Sequence, residues 1–121
     1  MGLLNMFGPY DFTIVEIDKR VTKKQAGNYA LGYVNTESTF IVQYVGRSDI
    51  DLNAELKNRT SNKKYKRFKY SYAKSVKEAF DKECNNYHDF GGKESLDNEI
   101  HPARPDGTDY DCPVSSCLEL E

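Results

Sequence analysis

The chain reads as one small α/β domain, α+β in layout. A three-stranded antiparallel sheet is flanked by helices and followed by an irregular C-terminal extension. Three observations lead there. Turn residues separate two β-favouring runs, a third run alternates aromatic with polar residues, and a capping box opens a long amphipathic helix. The chain has 121 residues, which leaves room for one core. The expected organisation is an N-terminal extension over 1–26, able to supply an extra strand, the domain proper over 27–92, and an acidic extension over 93–121 packed on it.

Taken in order, Asp11 to Ile17 is apolar enough for a strand, although its period is unclear. Asn28 to Val34 sets Tyr29, Leu31 and Tyr33 against smaller residues, which predicts a strand. Asn35-Thr36-Glu37-Ser38 supplies turn chemistry, and the β-branched run Phe40 to Val45 then completes an antiparallel hairpin. Asp51 can cap a short helix that places Leu52 and Leu56 on one face. A basic stretch follows, and Phe68 to Tyr72 alternates cleanly, with Phe68, Tyr70 and Tyr72 on one side and Lys69 and Ser71 on the other. Ser75-Val76-Lys77-Glu78 has the form of a capping box, and the helix it opens stops at Gly91-Gly92.

Composition narrows the class. Hydrophobic residues make up 38% and charged residues 30%, and nine Tyr and six Phe with no Trp must carry much of the packing. No apolar run approaches the ~20 residues that span a bilayer, and the first residues lack the flank of a signal peptide. Three Cys is an odd number, against a secreted disulfide framework, so a cytoplasmic protein with no membrane partner is expected. The net charge of −2 hides an uneven distribution. Seven Lys or Arg and no acid lie between Lys57 and Lys69, whereas eight acids fall between Glu94 and Glu121.

One residue breaks the long helix's pattern. Its apolar stripe runs Val76, Ala79, Phe80, Glu83, Cys84 and Tyr87, so a carboxylate lies within the face that meets the sheet. Unpaired there, it would cost several kcal/mol. Either a metal, a cation or a wet cleft compensates it, or it leans outward to pair with a Lys.

The order of these elements, with their short boxes, resembles the GIY-YIG nuclease superfamily from about Gly27 to Phe90. Gly27-Asn28-Tyr29 looks like the first box, Tyr44-Val45-Gly46 like the second, and Glu83 matches the metal-binding Glu on the later helix. The resemblance implies metal-dependent hydrolysis of phosphodiesters in DNA or RNA. Glu83 would hold Mg²⁺, Tyr29 would deprotonate or orient the attacking water, Tyr44 would hydrogen-bond the phosphate or that water, and Gly46 would let backbone approach the ligand. The pattern breaks at one place. The family's Arg on the helix after the second box falls on Ala54 without a gap, or on Glu55 with one extra residue allowed. Arg59, one helical turn on, or Arg47 could supply the missing cation. Loss of one electrostatic stabiliser costs about 100- to 1,000-fold in rate, so weakened activity is expected. Asn98 is the candidate for the family's Asn near the domain's end. The alternatives are a catalytically inactive nucleic-acid-binding domain and a zinc-stabilised interaction module.

Lys57, Lys63, Lys64, Lys66, Arg67 and Lys69, interleaved with Tyr65 and Phe68, could track a nucleic-acid backbone, or form a solvated basic loop. Cys84 and His88 are one turn apart on the long helix, and His101, Cys112 and Cys117 lie in the extension. Cys84, His88, His101 and Cys112, with Cys117 as the alternative, would make a tetrahedral set suited to structural zinc.

Overall fold

The computed structural model describes residues 4–114. In chain order they form β1 (Phe7–Asp11), α1 (Ile14–Arg20), β2 (Gly27–Val34), β3 (Phe40–Ser48), α2 (Leu52–Arg59), β4 (Arg67–Tyr72), α3 (Val76–Asp89) and a single 3-10 turn, Gly92–Glu94. The sheet has four antiparallel strands in the order β1-β4-β2-β3, one more than the sequence suggests. No helix among the described residues is long and apolar enough to cross a membrane.

The central strand β2 is buried on both sides from Gly27 to Gly32. Its Tyr29 and Leu31 face α1 and α2 and join Ile17, Leu52, Leu56, Phe68 and Tyr70 in one core. Ala30 faces the other way and packs with Val45, Tyr87, Leu96 and Leu4 beneath α3. Beside Ala30, the buried Asn28 donates through Nδ2 to the Ala79 carbonyl at 2.8 Å, pinning α3 to the sheet. The sheet is thus a filling between two helical layers.

The segment Asp11 to Ile17 is not a strand. The extra strand ends at Asp11, and Thr13 caps α1 by accepting from the Glu16 amide at 3.2 Å. Burial follows a helical period, with Ile17 and Val21 inside and Ile14 and Val15 in solvent. β-branched residues suit strands, but a capped turn with an apolar residue every third or fourth place wins here. The capping box at Ser75 forms in part: its hydroxyl accepts from the Glu78 amide, while the Glu78 carboxylate takes the Lys74 amide instead of the Ser75 amide.

One irregularity sets up the site. Leu31 pairs with Tyr44 and Gly32 with Val42, so Gln43 is an extra residue in β3. The bulge shifts the alternation by one. Val42 packs beneath α3, yet Tyr44, two residues on, packs with the core on the α2 side.

Candidate functional site

Tyr29 and Tyr44 lie side by side across the β2–β3 pair, their rings 6.3 Å apart and near parallel. Space for the Tyr29 ring comes from Gly46, where a Cβ would fall 2.3 Å from Cζ and 2.4 Å from the hydroxyl. This glycine therefore admits a tyrosine of its own fold, where the resemblance implies close approach to a ligand. The Tyr29 hydroxyl donates to Glu55 Oε2 at 2.8 Å, and Arg59 Nε donates to the same oxygen at 3.1 Å. Glu55 is thus a junction on α2 between the phenol and the guanidinium. Arg59 also lies over the Tyr44 ring, 5.3 Å from its centroid.

Electrostatics bind this cluster together. Burial, then the Glu55 carboxylate, hold the Tyr29 phenol well above its usual range, so it stays protonated and donates. Burial raises Tyr44 as well, with Arg59 pulling the other way. For Arg59 burial opposes the charge, but Tyr29, Tyr44 and Glu55 outweigh it and raise its pKa.

Glu83 faces inward and does not lean out toward a Lys; it is 8% exposed. A cation compensates it. Arg47, one residue past the second box, donates from one terminal nitrogen to Glu83 Oε1 at 2.6 Å and from Nε to Asp49 at 2.7 Å. The same guanidinium lies 5.3 Å from the Phe80 ring centroid. Burial nonetheless raises the Glu83 carboxyl to about 7, against the pull of Arg47. Both Glu83 and Glu55 add slightly to the rise at the Tyr44 phenol, although α2 and α3 cover opposite faces of the sheet. The set as arranged does not fit Mg²⁺: the carboxylates of Glu83 and Asp49 are both neutralised by a guanidinium standing where a hard cation would go.

Two hollows lie near Tyr44 and share lining residues. A hollow of about 140 Å³ is lined by Tyr44, Arg59, Asn62 and Tyr65. Asn62 and Tyr65 also line a larger cleft of about 500 Å³, walled by Lys63, Lys66 and Arg67 on one side and Phe12, Ile14 and Val15 on the other. The basic stretch is less free than its sequence suggests. Lys57 pairs with Asp18 at 2.6 Å, Lys64 with Asp97 at 2.7 Å and Arg67 with Asp11 at 2.9 Å. Their partners come from distant parts of the chain, so a run without acids gave no sign of them. Lys63, Lys66 and Lys69 make no ion pair among the described residues; Lys66 donates to the Lys63 carbonyl, and Lys69 lies over the Phe40 ring.

The extension runs along the free edge of β3. The Asp97 amide donates to the Gln43 carbonyl at 2.7 Å. The buried Asn98 side chain then grips Val45 twice, accepting from its amide at 3.1 Å and donating to its carbonyl at 2.8 Å. Asn98 therefore acts on the backbone of the second box, one residue from Gly46. Beyond it, His101 and Cys112 return to α3, where Cys84, His101 and Cys112 form a group that could hold a metal ion. His88 is not in that group: its ring packs at 5.2 Å against both Tyr87 and His101. Cys117 lies outside the described residues.

The structure thus gathers Tyr29, Tyr44 and Arg59 around Glu55 on the α2 side of the sheet, and Arg47, Glu83 and Asp49 beside α3. The sequence carried a signal for Glu55, since it stands four residues before Arg59. For Asp49 there was none, because its partner is fixed by the turn after β3. Comparison of the chain with protein-family models, with curated proteins and with solved structures finds no match in any of the three.

Proposed function

We propose that the protein binds nucleic acid by its phosphodiester backbone at the hollow beside Tyr44 and Arg59, as a GIY-YIG-like domain, and hydrolyses that backbone only slowly. The observation that carries this reading is the position of Glu55. With one extra residue allowed after the second box it stands where the resemblance calls for an arginine (Ala54 stands there without a gap), and a single carboxylate oxygen holds both Tyr29 and Arg59. A cation is therefore present beside Tyr44, but displaced by one helical turn and partly neutralised. A phosphate entering the hollow meets the Arg59 guanidinium and the Tyr44 hydroxyl, and meets repulsion from Glu55. Lys63 and Lys66, on the cleft that shares Asn62 and Tyr65 with this hollow, would meet further phosphates of the strand.

The test is nicking of supercoiled plasmid and of labelled single-stranded DNA and RNA, with Mg²⁺, Mn²⁺ or chelator. Wild type should nick slowly, and Glu55→Arg, which restores the cation, should nick about 100- to 1,000-fold faster. A folded Glu55→Arg variant no faster than wild type would sink the hydrolytic part.

A second reading is favoured by the closed Arg47–Glu83 pair, which leaves no carboxylate open for a catalytic ion. On that reading the domain binds nucleic acid without cutting it. Salt-sensitive binding with no nicking by either protein assigns this reading, and absence of binding at low salt removes both.

A further inference from the structure

Three donors from separate stretches of chain meet at one point. Cys84 comes from the buried face of α3, and His101 and Cys112 from the extension, and one ligand atom from each lies within 4.8 Å of the others. Tetrahedral zinc with two sulfurs and one nitrogen holds its donors about 3.5–3.8 Å apart, so small side-chain adjustments close the set onto an ion. Thiolates with an imidazole select zinc over Mg²⁺ or Ca²⁺, which take oxygen donors.

The surroundings of the histidine bear on which nitrogen would ligate. His101 Nδ1 lies 2.9 Å from the Pro102 carbonyl, which can only accept, so a ring that donates there from Nδ1 would ligate through Nε2. Fixing one ring nitrogen on a carbonyl while the other faces the metal is the usual support for a ligating histidine. His101 is 9% exposed and held edge-on against Tyr87, 5.3 Å between ring centres.

The extension needs such a fastening. Past the turn at Gly92–Glu94 it contains no helix or strand among the described residues. Its apolar contribution to the packed interior is small, Leu96 and the two prolines Pro102 and Pro105 being its buried apolar residues among those described. A segment of that kind gains little from burial and loses much conformational entropy on ordering. It nevertheless returns to α3, where Tyr110 packs on Phe80 at 6.4 Å.

We propose that Cys84, His101 and Cys112 bind one zinc ion that staples the extension onto α3. The role is structural, and it does not depend on whether the domain cuts nucleic acid. It also reaches the second box: His101 lies three residues beyond Asn98, so loosening the staple loosens the grip on Val45.

The experiment takes the full chain, purified in reduced form and stripped of metal, and titrates it with Zn²⁺ against a chromophoric chelator; cobalt replaces zinc in a parallel sample. One zinc per chain is expected, with thiolate-to-cobalt charge-transfer bands and the intense visible bands of a tetrahedral ion. Hydrogen exchange should slow across 95–112 on adding zinc and stay unchanged on adding Mg²⁺. Cys112→Ser and His101→Ala should each weaken binding by more than the about 10- to 100-fold that loss of a supporting group costs. Cys112 lies in the extension and is only partly buried, so its variant keeps the test open should Cys84→Ser fail to fold. Failure to take up zinc, uptake unaffected by both Cys112→Ser and His101→Ala, or a Cys84–Cys112 disulfide in freshly isolated protein would each overturn the proposal.

Discussion

Gly46 and Tyr29 have to be considered together, because the one leaves the volume that the other fills. The pair was legible as two boxes on two strands, but their contact was not, since it depends on the register Tyr29↔Gly46. The Tyr29 phenol, fully buried and donating to Glu55, makes a prediction in the alkaline range. Its folded pKa is raised, by burial first, above the value of about 10 that an unfolded tyrosine has. Below pH ~10 both states keep the proton and its contribution is fully present. Above that, only the unfolded state ionises, and stability falls by about 1.4 kcal/mol per pH unit until the folded pKa is reached. Urea melts from pH 8 to 11 should therefore show wild type losing stability relative to Tyr29→Phe above pH ~10. Parallel curves would mean that the phenol is not held protonated. Glu83 shows the opposite kind of legibility. A carboxylate in an apolar stripe announced that a partner was needed, but not that Arg47 would be that partner.

At the scale of elements, patterns of the right period identified β2, β3, β4, α2 and α3, while α1 was read as a strand. Four apolar or β-branched residues in Thr13 to Ile17 fit either period, and only the cap at Thr13 and the burial of Ile17 and Val21 decide between them. The added strand β1 follows from its pairing with β4, a partner some sixty residues away. The extension behaves as a guard on the β3 edge, and its grip is concentrated in Asn98. Asn98→Ala should destabilise the fold by about 1–3 kcal/mol, since it strips two buried hydrogen bonds from the backbone of one residue, Val45. The Val45 amide should then exchange faster by hydrogen–deuterium measurement, while the Leu31 amide inside the sheet should not. Equal acceleration at both would place the effect on the whole fold and not on the edge.

For the molecule as a whole, the charge pattern is the feature on which sequence and structure differ most. The run from Lys57 to Lys69 looked like one continuous basic band, but Asp18, Asp97 and Asp11 each take one of its cations. Lys63 and Lys66 remain on the cleft wall, and Lys69 lies on β4. Charge reversal of these three to Glu should flatten the salt dependence of nucleic-acid binding and weaken it about tenfold or more at low salt. Reversal of the paired Lys57 and Lys64 with Arg67 should weaken it less. Equal losses from both triples would show that the ion pairs open on binding. Local periodicity and capping chemistry determined most of the elements and the place of Glu83 within an apolar stripe, because each depends on residues within a few positions of one another; that its side chain turns inward was decided by the tertiary structure. What only tertiary structure decided was partnership: Arg47 with Glu83, Glu55 between Tyr29 and Arg59, His101 and Cys112 against Cys84, and a bulge at Gln43 that turns Tyr44 to its side of the sheet. Such pairings depend on strand order and register, which are settled by how the whole chain closes around its two cores.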